Sequence, residues 1–162
     1  MNKSNLITVL LAALLAVPAT INASNDAPDF ALKSLAGENV RLSELRGQVV
    51  MINFWASWCG PCRQEMPHLE ALHQRYESLG FTLLGINVEQ ERRDADRMLA
   101  DMELSFPILF DNRNAVSKLY GVIAMPSTVL IDRSGQVRYV HNGYKSGYEK
   151  EYQNQVRSLI KE

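Results

Sequence analysis

The two cysteines of this chain, Cys59 and Cys62, are the residues whose type and spacing most directly suggest chemistry. Gly60 and Pro61 separate them, and an apolar run from Val49 to Trp55 precedes them. A segment with helical spacing follows the pair. In this setting a Cys-x-x-Cys pair predicts a reversible dithiol–disulfide centre, which exchanges electron pairs with other thiols.

A helix that begins between the two cysteines would suit this chemistry. Residues i and i+3 are neighbours on one helix face, so the Cα atoms would lie about 5.5 Å apart, within disulfide reach. Pro61 suits the first helical turn, and Gly60 lets the backbone bend and a substrate chain approach closely. Because the helix N-terminus stabilises a thiolate, we expect Cys59 to be the exposed attacking sulfur. Cys62 would lie inward and resolve the mixed disulfide.

Two other uses of a cysteine pair fit the sequence less well. A structural disulfide more often joins distant segments, because closing a longer loop stabilises more. A metal site needs further ligands, and the chain has no second cysteine pair, although His68 and His73 follow in the same segment. We expect these two histidines to be exposed on the helix and His141 to lie at a strand end. We expect no bound metal and no cofactor.

The length and the charge of the chain limit its class. It has 162 residues and a formal net charge of −1. This length allows one domain with its own core, and the balanced charge gives no indication of nucleic-acid binding.

The first residues have the layout of a secretory signal peptide, which we assign to residues 1–23. Lys3 precedes an apolar run from Leu6 to Val17, and small residues follow around Ala19 and Ala23. Cleavage after either alanine fits the sequence. The run is shorter than the about 20 residues that span a bilayer, so an uncleaved membrane anchor is the minority alternative. Export would place the cysteines in an oxidising, periplasmic compartment.

The rest of the chain, residues 27–162, predicts one α/β domain. Extended segments are predicted at residues 30–32, 39–42, 49–55, 81–88, 106–110, 128–132 and 137–141. Helices are predicted at residues 62–79, 92–102, 114–120 and 148–160. The first helix should bury an apolar stripe and kink at Pro67; the stripe comprises Met66, Leu69, Leu72, Tyr76 and Leu79. The order of segments indicates a sheet with helices on both faces.

With these residues in view, the chain resembles the thioredoxin superfamily and, within it, the exported TlpA/ResA branch of thiol–disulfide oxidoreductases. The resemblance covers about residues 27–160 and depends on the motifs Asn53–Cys62 and Gly121–Thr128, together with Pro67. It implies an α/β thioredoxin fold with an N-terminal β-hairpin extension and a central mixed sheet flanked by helices.

The resemblance also implies a substrate-binding surface around the cysteines. The Met125–Pro126 bond would be cis and would face the sulfurs, so that the exposed backbone of Met125 can pair with an extended substrate segment. Trp58 would shield the motif and contact substrate, whereas Trp55 belongs to the core. The predicted substrate-binding residues are therefore Trp58, Gly60, Pro61, Met125 and Pro126.

The sequence departs from the family pattern at two positions. Thioredoxin has a buried aspartate in the strand before the motif, where this chain has Asn53, which cannot titrate. Relatives of the branch place a glutamate after the next strand, where Gln90 stands here between Glu89 and Glu91. Either glutamate is a candidate acid/base, and a solvated loop residue is the alternative. Ser127 replaces the glutamate typical of cytochrome-maturation members, which weakens that assignment.

The predicted function is that of a periplasmic protein disulfide reductase that uses the Cys59/Cys62 dithiol. The expected partners are protein disulfides and, by family analogy, a membrane thiol reductase that supplies electrons to a monomer. A disulfide-forming oxidant is the alternative within the same class. A copper-binding module of this fold is less consistent with only two residues between the cysteines. A peroxiredoxin would need a separate peroxidatic cysteine, which the sequence lacks.

Overall fold

The computed structural model describes residues 25–162, so the predicted signal peptide lies outside the described residues. The strands are β1 Ala31–Lys33, β2 Asn39–Arg41, β3 Val49–Trp55, β4 Phe81–Asn87, β5 Ile108–Phe110, β6 Ser127–Ile131 and β7 Val137–Asn142. The helices are α1 Gly60–Tyr76, α2 Arg93–Ala100, α3 Ala115–Leu119 and α4 Tyr148–Ile160. Short 3-10 turns cover Leu42–Leu45 and Glu77–Leu79. Over residues 25–162, every helix is too short or too polar to cross a membrane.

The central sheet is mixed, with the strand order β5-β4-β3-β6-β7. Its middle strand, β3, pairs parallel with β4 and antiparallel with β6. The hairpin β1–β2 forms a separate sheet, and it reaches the central one through a bridge between Ser34 and Leu109 of β5. The predicted thioredoxin-like architecture, including the N-terminal hairpin, is confirmed.

Strand β3 lies in the middle of the core, and all seven of its residues are buried. Side chains alternate along a strand, so the two faces pack against different partners. Met51 and Trp55 belong to a cluster with residues of α1, α2 and α4. Ile52 and Phe54 belong to a second cluster with the residues around the hairpin and with α3. Because both faces are covered, β3 has a near-continuous apolar sequence, and it holds the segment that follows it in a fixed place.

Helix α1 begins at Gly60 and continues through Pro67 to Tyr76, where a 3-10 turn replaces its last predicted turn. Gly80, with φ of 83°, ends the turn in the left-handed conformation that glycine favours. The change of helix type explains a wrong expectation. Leu79, which the helical spacing predicts in the buried stripe, is 53% exposed, because a 3-10 turn advances each residue by a larger angle than an α-helix does.

The predicted exposure of the histidines on α1 is only half correct. His68 is exposed, but His73 is buried. The His73 ring packs edge-on against Phe106, with the ring centroids 6.0 Å apart, and its Nε2 lies 3.3 Å from a Glu77 carboxylate oxygen. The spacing of residues along α1 does not reveal this contact, because Phe106 comes from the segment before β5. His141 lies in β7 and is half-buried beside Gln155.

Candidate redox site

The cysteine pair lies where β3 gives way to α1. Cys59 and Cys62 form a disulfide with their Cα atoms 5.3 Å apart. Cys59 is the N-cap of α1, and the Cys62 N–H donates a hydrogen bond to Cys59 Sγ at 3.2 Å. Pro61 lies in the first helical turn, where it needs no hydrogen-bond partner. The helix therefore begins between the cysteines, as their spacing predicts.

The burial of the cysteines differs from the expectation of an exposed attacking sulfur. Cys59 is 4% exposed and Cys62 is 1% exposed in this disulfide form. Access to Cys59 comes instead from an open groove of about 490 Å³ beside it. The groove is lined by Trp58, Cys59, Gly60, Pro61, Val122, Ile123, Ala124 and Met125. Because no lining residue bears a charge, the groove suits an uncharged or apolar segment of a partner.

The structure brings together all of the predicted substrate-binding residues at or beside this groove. Trp58 is 69% exposed at its edge, and the Met125–Pro126 bond opposite is cis. A Cβ placed on Gly60 would meet no atom within 4 Å, so this position faces open space. Ile123, which sequence reasoning missed, is 85% exposed in the same wall. The sequence could have indicated Ile123 as part of the groove, because it is an apolar residue close to the predicted cis-proline.

A buried carboxyl, Glu65, lies on the inner side of α1 and is fully excluded from solvent. The Tyr152 hydroxyl donates to Glu65 Oε1 at 2.9 Å, and Asn53 Nδ2 donates to Glu65 Oε2 at 2.8 Å. Burial raises the pKa of Glu65 to about 7, although both hydrogen bonds lower it. Because an ionised carboxyl loses its hydration when buried, only these donors stabilise its charged form.

Glu65 is a second residue near the cysteines that sequence reasoning missed. It lies three residues after Cys62, and this spacing places both side chains on one face of the helix. Asn53 also donates to the Thr128 hydroxyl at 2.9 Å, so it joins β3, α1 and β6. The strand position where thioredoxin has its aspartate thus holds a neutral donor, and the carboxyl is supplied by α1. The i+3 spacing from Cys62 could have indicated it.

The two glutamates proposed as acid/base candidates lie in different environments. Glu89 accepts hydrogen bonds from the Ser57 N–H, the Ser57 hydroxyl and Asn87 Nδ2, at 2.7, 2.7 and 2.8 Å. Glu91 is exposed. The Glu89 carboxylate therefore ties the loop before Cys59 to the loop after β4. Its oxygens are already occupied by protein donors, which favours a structural role.

A metal-binding arrangement does not occur in residues 25–162. No group of three or more His, Cys, Asp or Glu side chains within that range could hold an ion. In this range Cys59 and Cys62 are joined to each other, and there is no free cysteine.

Several known proteins are similar to this chain in sequence. Residues 23–140 match the AhpC/TSA family. The thiol-disulfide oxidoreductase ResA of Geobacillus thermodenitrificans is 38% identical over 117 residues, which cover 72% of this chain and 67% of that protein. The thioredoxin-like protein YneN of Bacillus subtilis is 37% identical over 133 residues, which cover 81% of this chain and 78% of YneN.

The fold is also similar to solved structures. A Chlorobium tepidum protein assigned as thiol:disulfide interchange protein DsbE superposes with a TM-score of 0.81 and 37% identity, over 85% of this chain and 96% of that one. The match with the family covers most of the chain, and the relatives share both its sequence and its fold. The chain therefore belongs to the AhpC/TSA family, with a thioredoxin-like fold similar to that of the ResA thiol–disulfide oxidoreductases.

Proposed function

We propose that this protein is a thiol–disulfide oxidoreductase that reduces protein disulfides through Cys59 and Cys62. The observation that supports the proposal most directly is the placement of the pair. Cys59 caps α1 beside an open groove of about 490 Å³ whose lining residues bear no charge. The relatives named ResA are thiol–disulfide oxidoreductases. Met125, in the opposite wall, offers its backbone to such a chain in the manner of an added strand.

The reaction transfers two electrons and two protons to the substrate. In the reduced protein, the Cys59 thiolate attacks one sulfur of a substrate disulfide. A bond forms between Cys59 Sγ and that sulfur, the substrate S–S bond breaks, and the released thiolate takes a proton. Cys62 then loses its proton and attacks Cys59 Sγ. This step forms the internal disulfide, breaks the bond between Cys59 Sγ and the substrate, and releases the second substrate sulfur as a thiolate, which takes up a proton.

Glu65 is our candidate for the base that takes the Cys62 proton. It follows Cys62 by one helical turn, and its pKa of about 7 lies near the pH at which the protein would work. A carboxyl with this pKa can gain and lose a proton without a large cost. We assign Glu89 to holding the Ser57 loop and Glu91 to the solvated surface.

The direction and the location of the reaction are part of the proposal. The Gly60-Pro61 dipeptide resembles that of thioredoxin, whose reduction potential is about −270 mV, at the reducing end of the scale. We propose that residues 1–23 are a signal peptide, that residues 27–162 function as a monomer in the periplasm, and that a membrane thiol reductase supplies electrons. An exported reductant needs such a supply because its compartment is oxidising.

Trapping tests the roles of the two sulfurs. The Cys62→Ser variant should accumulate a mixed disulfide between Cys59 and its substrate, which mass spectrometry can identify after isolation under acid quench. Cys59→Ser is the matched control and should trap nothing. Equal trapping by both variants would show that the roles are wrongly assigned.

The reduction potential tests the direction. Equilibration with glutathione buffers should give a value near that of thioredoxin. A value above about −150 mV would contradict the reductase assignment and support a disulfide-forming oxidant. The redox state of the cysteines in cells, measured by alkylation, gives an independent answer, because a reductase should be mostly reduced.

A further inference from the structure

We propose that Tyr152 of α4 is a positioning residue, which holds the Glu65 carboxylate ready to accept the Cys62 proton through its hydrogen bond to Glu65 Oε1. The inference rests on the proposed function, because it concerns a proton that leaves Cys62 during disulfide exchange. Tyr152 is separated from Glu65 by 87 positions in the chain, and only the packing of α4 against α1 and β3 brings them together.

The geometry around Glu65 leaves each of its oxygens with one protein donor. The Tyr152 hydroxyl serves Oε1, and the Asn53 amide serves Oε2. All three side chains are at most 1% exposed. Water is therefore a poor substitute for either donor. A buried carboxylate that loses one donor is left partly unpaired, and this favours its protonated form.

The ring of Tyr152 is held in place by aromatic neighbours. His141 of β7 meets it edge-on, with the ring centroids 5.0 Å apart, and Tyr148 packs against it at 5.9 Å. Nε2 of His141 lies 2.9 Å from the Gln155 side-chain oxygen, one turn further along α4. These contacts restrict the conformation of the Tyr152 side chain, so that its hydroxyl is held at a constant distance from Glu65.

The other titratable groups near this cluster are few. Cys62 precedes Glu65 by three residues on α1. Tyr144 precedes α4, Tyr148 lies at its start, and His141 comes from β7. Thr128 of β6 is neutral and accepts from Asn53. The interactions that oppose burial at Glu65 are therefore the two hydrogen bonds, and one of them belongs to Tyr152.

The test compares Tyr152→Phe with Tyr148→Phe. Both changes remove one hydroxyl from α4, but Tyr148 is not a hydrogen-bond partner of Glu65. Stopped-flow fluorescence would follow reduction of a protein disulfide from pH 5 to pH 9. Carbonyl infrared spectroscopy would follow the protonation of Glu65, assigned by its loss in Glu65→Gln. In Tyr152→Phe, the proton affinity of Glu65 should rise about tenfold, because a hydrogen bond to a charged group is lost.

The acidic limb of the rate profile should move to higher pH by the same factor, so that the rates of the variant and the wild type converge only near pH 9. Tyr148→Phe should match the wild type in both measurements. A purely structural role for Tyr152 would instead lower the rate at every pH and leave the infrared titration in place. That result, or a Glu65 titration unchanged in Tyr152→Phe, would overturn the inference.

Two further arms keep the test decisive. If Tyr152→Phe does not fold, 3-fluorotyrosine incorporated into the wild-type chain makes the Tyr152 hydroxyl a stronger donor. The Glu65 titration should then move to lower pH, and an unmoved titration would count against the inference. If the wild-type protein does not reduce disulfides at all, the proposed function fails. The infrared titration of Glu65 still shows whether Tyr152 controls its protonation.

Discussion

Glu65 is a fully buried carboxyl whose charge is supported only by neutral donors. Its pKa of about 7 lies well above the ordinary value of 4.5, and burial is the main cause. In the folded protein this carboxyl is therefore protonated over a pH range in which an unfolded chain would ionise it. The difference has a measurable consequence for stability, apart from any role in catalysis.

The stability of the oxidised protein should fall as the pH rises from about 4.5 to about 7. Below this window Glu65 is protonated in both states, and within it only the unfolded chain releases the proton. The raised pKa corresponds to a loss of about 3 kcal/mol in the free energy of unfolding. Urea denaturation at pH 4.5 and pH 7.5 measures this loss. Glu65→Gln should show little of it, whereas an equal loss in the variant would contradict the assignment.

Asp29, Glu70 and Asp132 do not interfere with that measurement. Burial opposes the ionised form of all three, but hydrogen bonds outweigh it and hold each pKa below its ordinary value. The stabilisation that these carboxylates give the folded state is complete at a pH above their ordinary pKa values and is lost only at lower pH. These three carboxyls therefore add little to the change in stability between about pH 4.5 and pH 7, and the comparison with Glu65→Gln isolates the part that belongs to Glu65.

Ile123 offers a second test at the scale of one residue. Ile123→Ala should lower kcat/KM for a protein disulfide by about tenfold, because burial of a large aliphatic side chain by a partner is worth about 1.5–3 kcal/mol. The rate with oxidised glutathione should stay unchanged, since so small a disulfide need not cover the groove wall. Leu119→Ala, an exposed apolar position on α3, is the control. Equal losses with both substrates would exclude a docking role for Ile123.

At the scale of elements, the site depends on the junction between β3 and α1. The junction is short, and its residue Ser57 donates two hydrogen bonds to the carboxylate of Glu89, which follows β4. Arg63 of α1 adds a hydrogen bond from its guanidinium to the Ser57 carbonyl at 3.1 Å. The orientation of Trp58 and Cys59 is therefore set by two neighbouring elements as well as by the chain itself.

Replacing Glu89 separates a structural role from an acid/base role. In the wild type, both side-chain oxygens of Glu89 accept hydrogen bonds. In Glu89→Gln, an amide nitrogen replaces one of these oxygens and faces the same donors, so the free energy of unfolding should fall by about 1–3 kcal/mol. The midpoint of the pH–rate profile should stay where it is. Glu91→Gln, at an exposed position, should change neither quantity. A shifted pH profile in either variant would support the acid/base assignment of that glutamate.

At the scale of the whole molecule, the segment before the hairpin closes the far edge of the sheet. The Ala27 N–H donates to the Gly135 carbonyl at 2.9 Å, and the Val137 N–H donates to the Asn25 carbonyl at 2.8 Å. Ala27 itself is buried. Residues far apart in the chain are thus joined at β7, and the contacts with this edge extend at least to Asn25.

Truncation tests this boundary. A chain that starts at Asn25 should unfold at the same urea concentration as the full chain. A chain that starts at Asp29 should lose about 1–3 kcal/mol, because two backbone hydrogen bonds of about 0.5–1.5 kcal/mol each disappear with the Ala27 contact. Circular dichroism during urea denaturation compares the two. Equal midpoints would show that the segment contributes nothing to the fold.

Local sequence patterns predicted most elements of this fold. The unbroken apolar run of β3 indicates burial on both faces, and the bounds of β3 and α4 agree with the structure. The spacing of Cys59 and Cys62 predicts where α1 begins, because a helix start depends on residues only a few positions apart. The end of α1 was less well predicted, because the choice between an α and a 3-10 turn involves small energies that a periodic pattern does not report.

The sequence by itself determined the dithiol pair, its place at a helix start and the fold that presents it. Only the tertiary structure showed that Glu65 is buried and that Asn53 and Tyr152 supply its donors. The physical reason is that the environment of a carboxyl depends on contacts between α1, β3 and α4. These contacts join residues far apart in the chain, and no local pattern records them. Packing of α1 against Phe106, from the segment before β5, likewise buries His73, although the position of His73 on α1 predicts exposure.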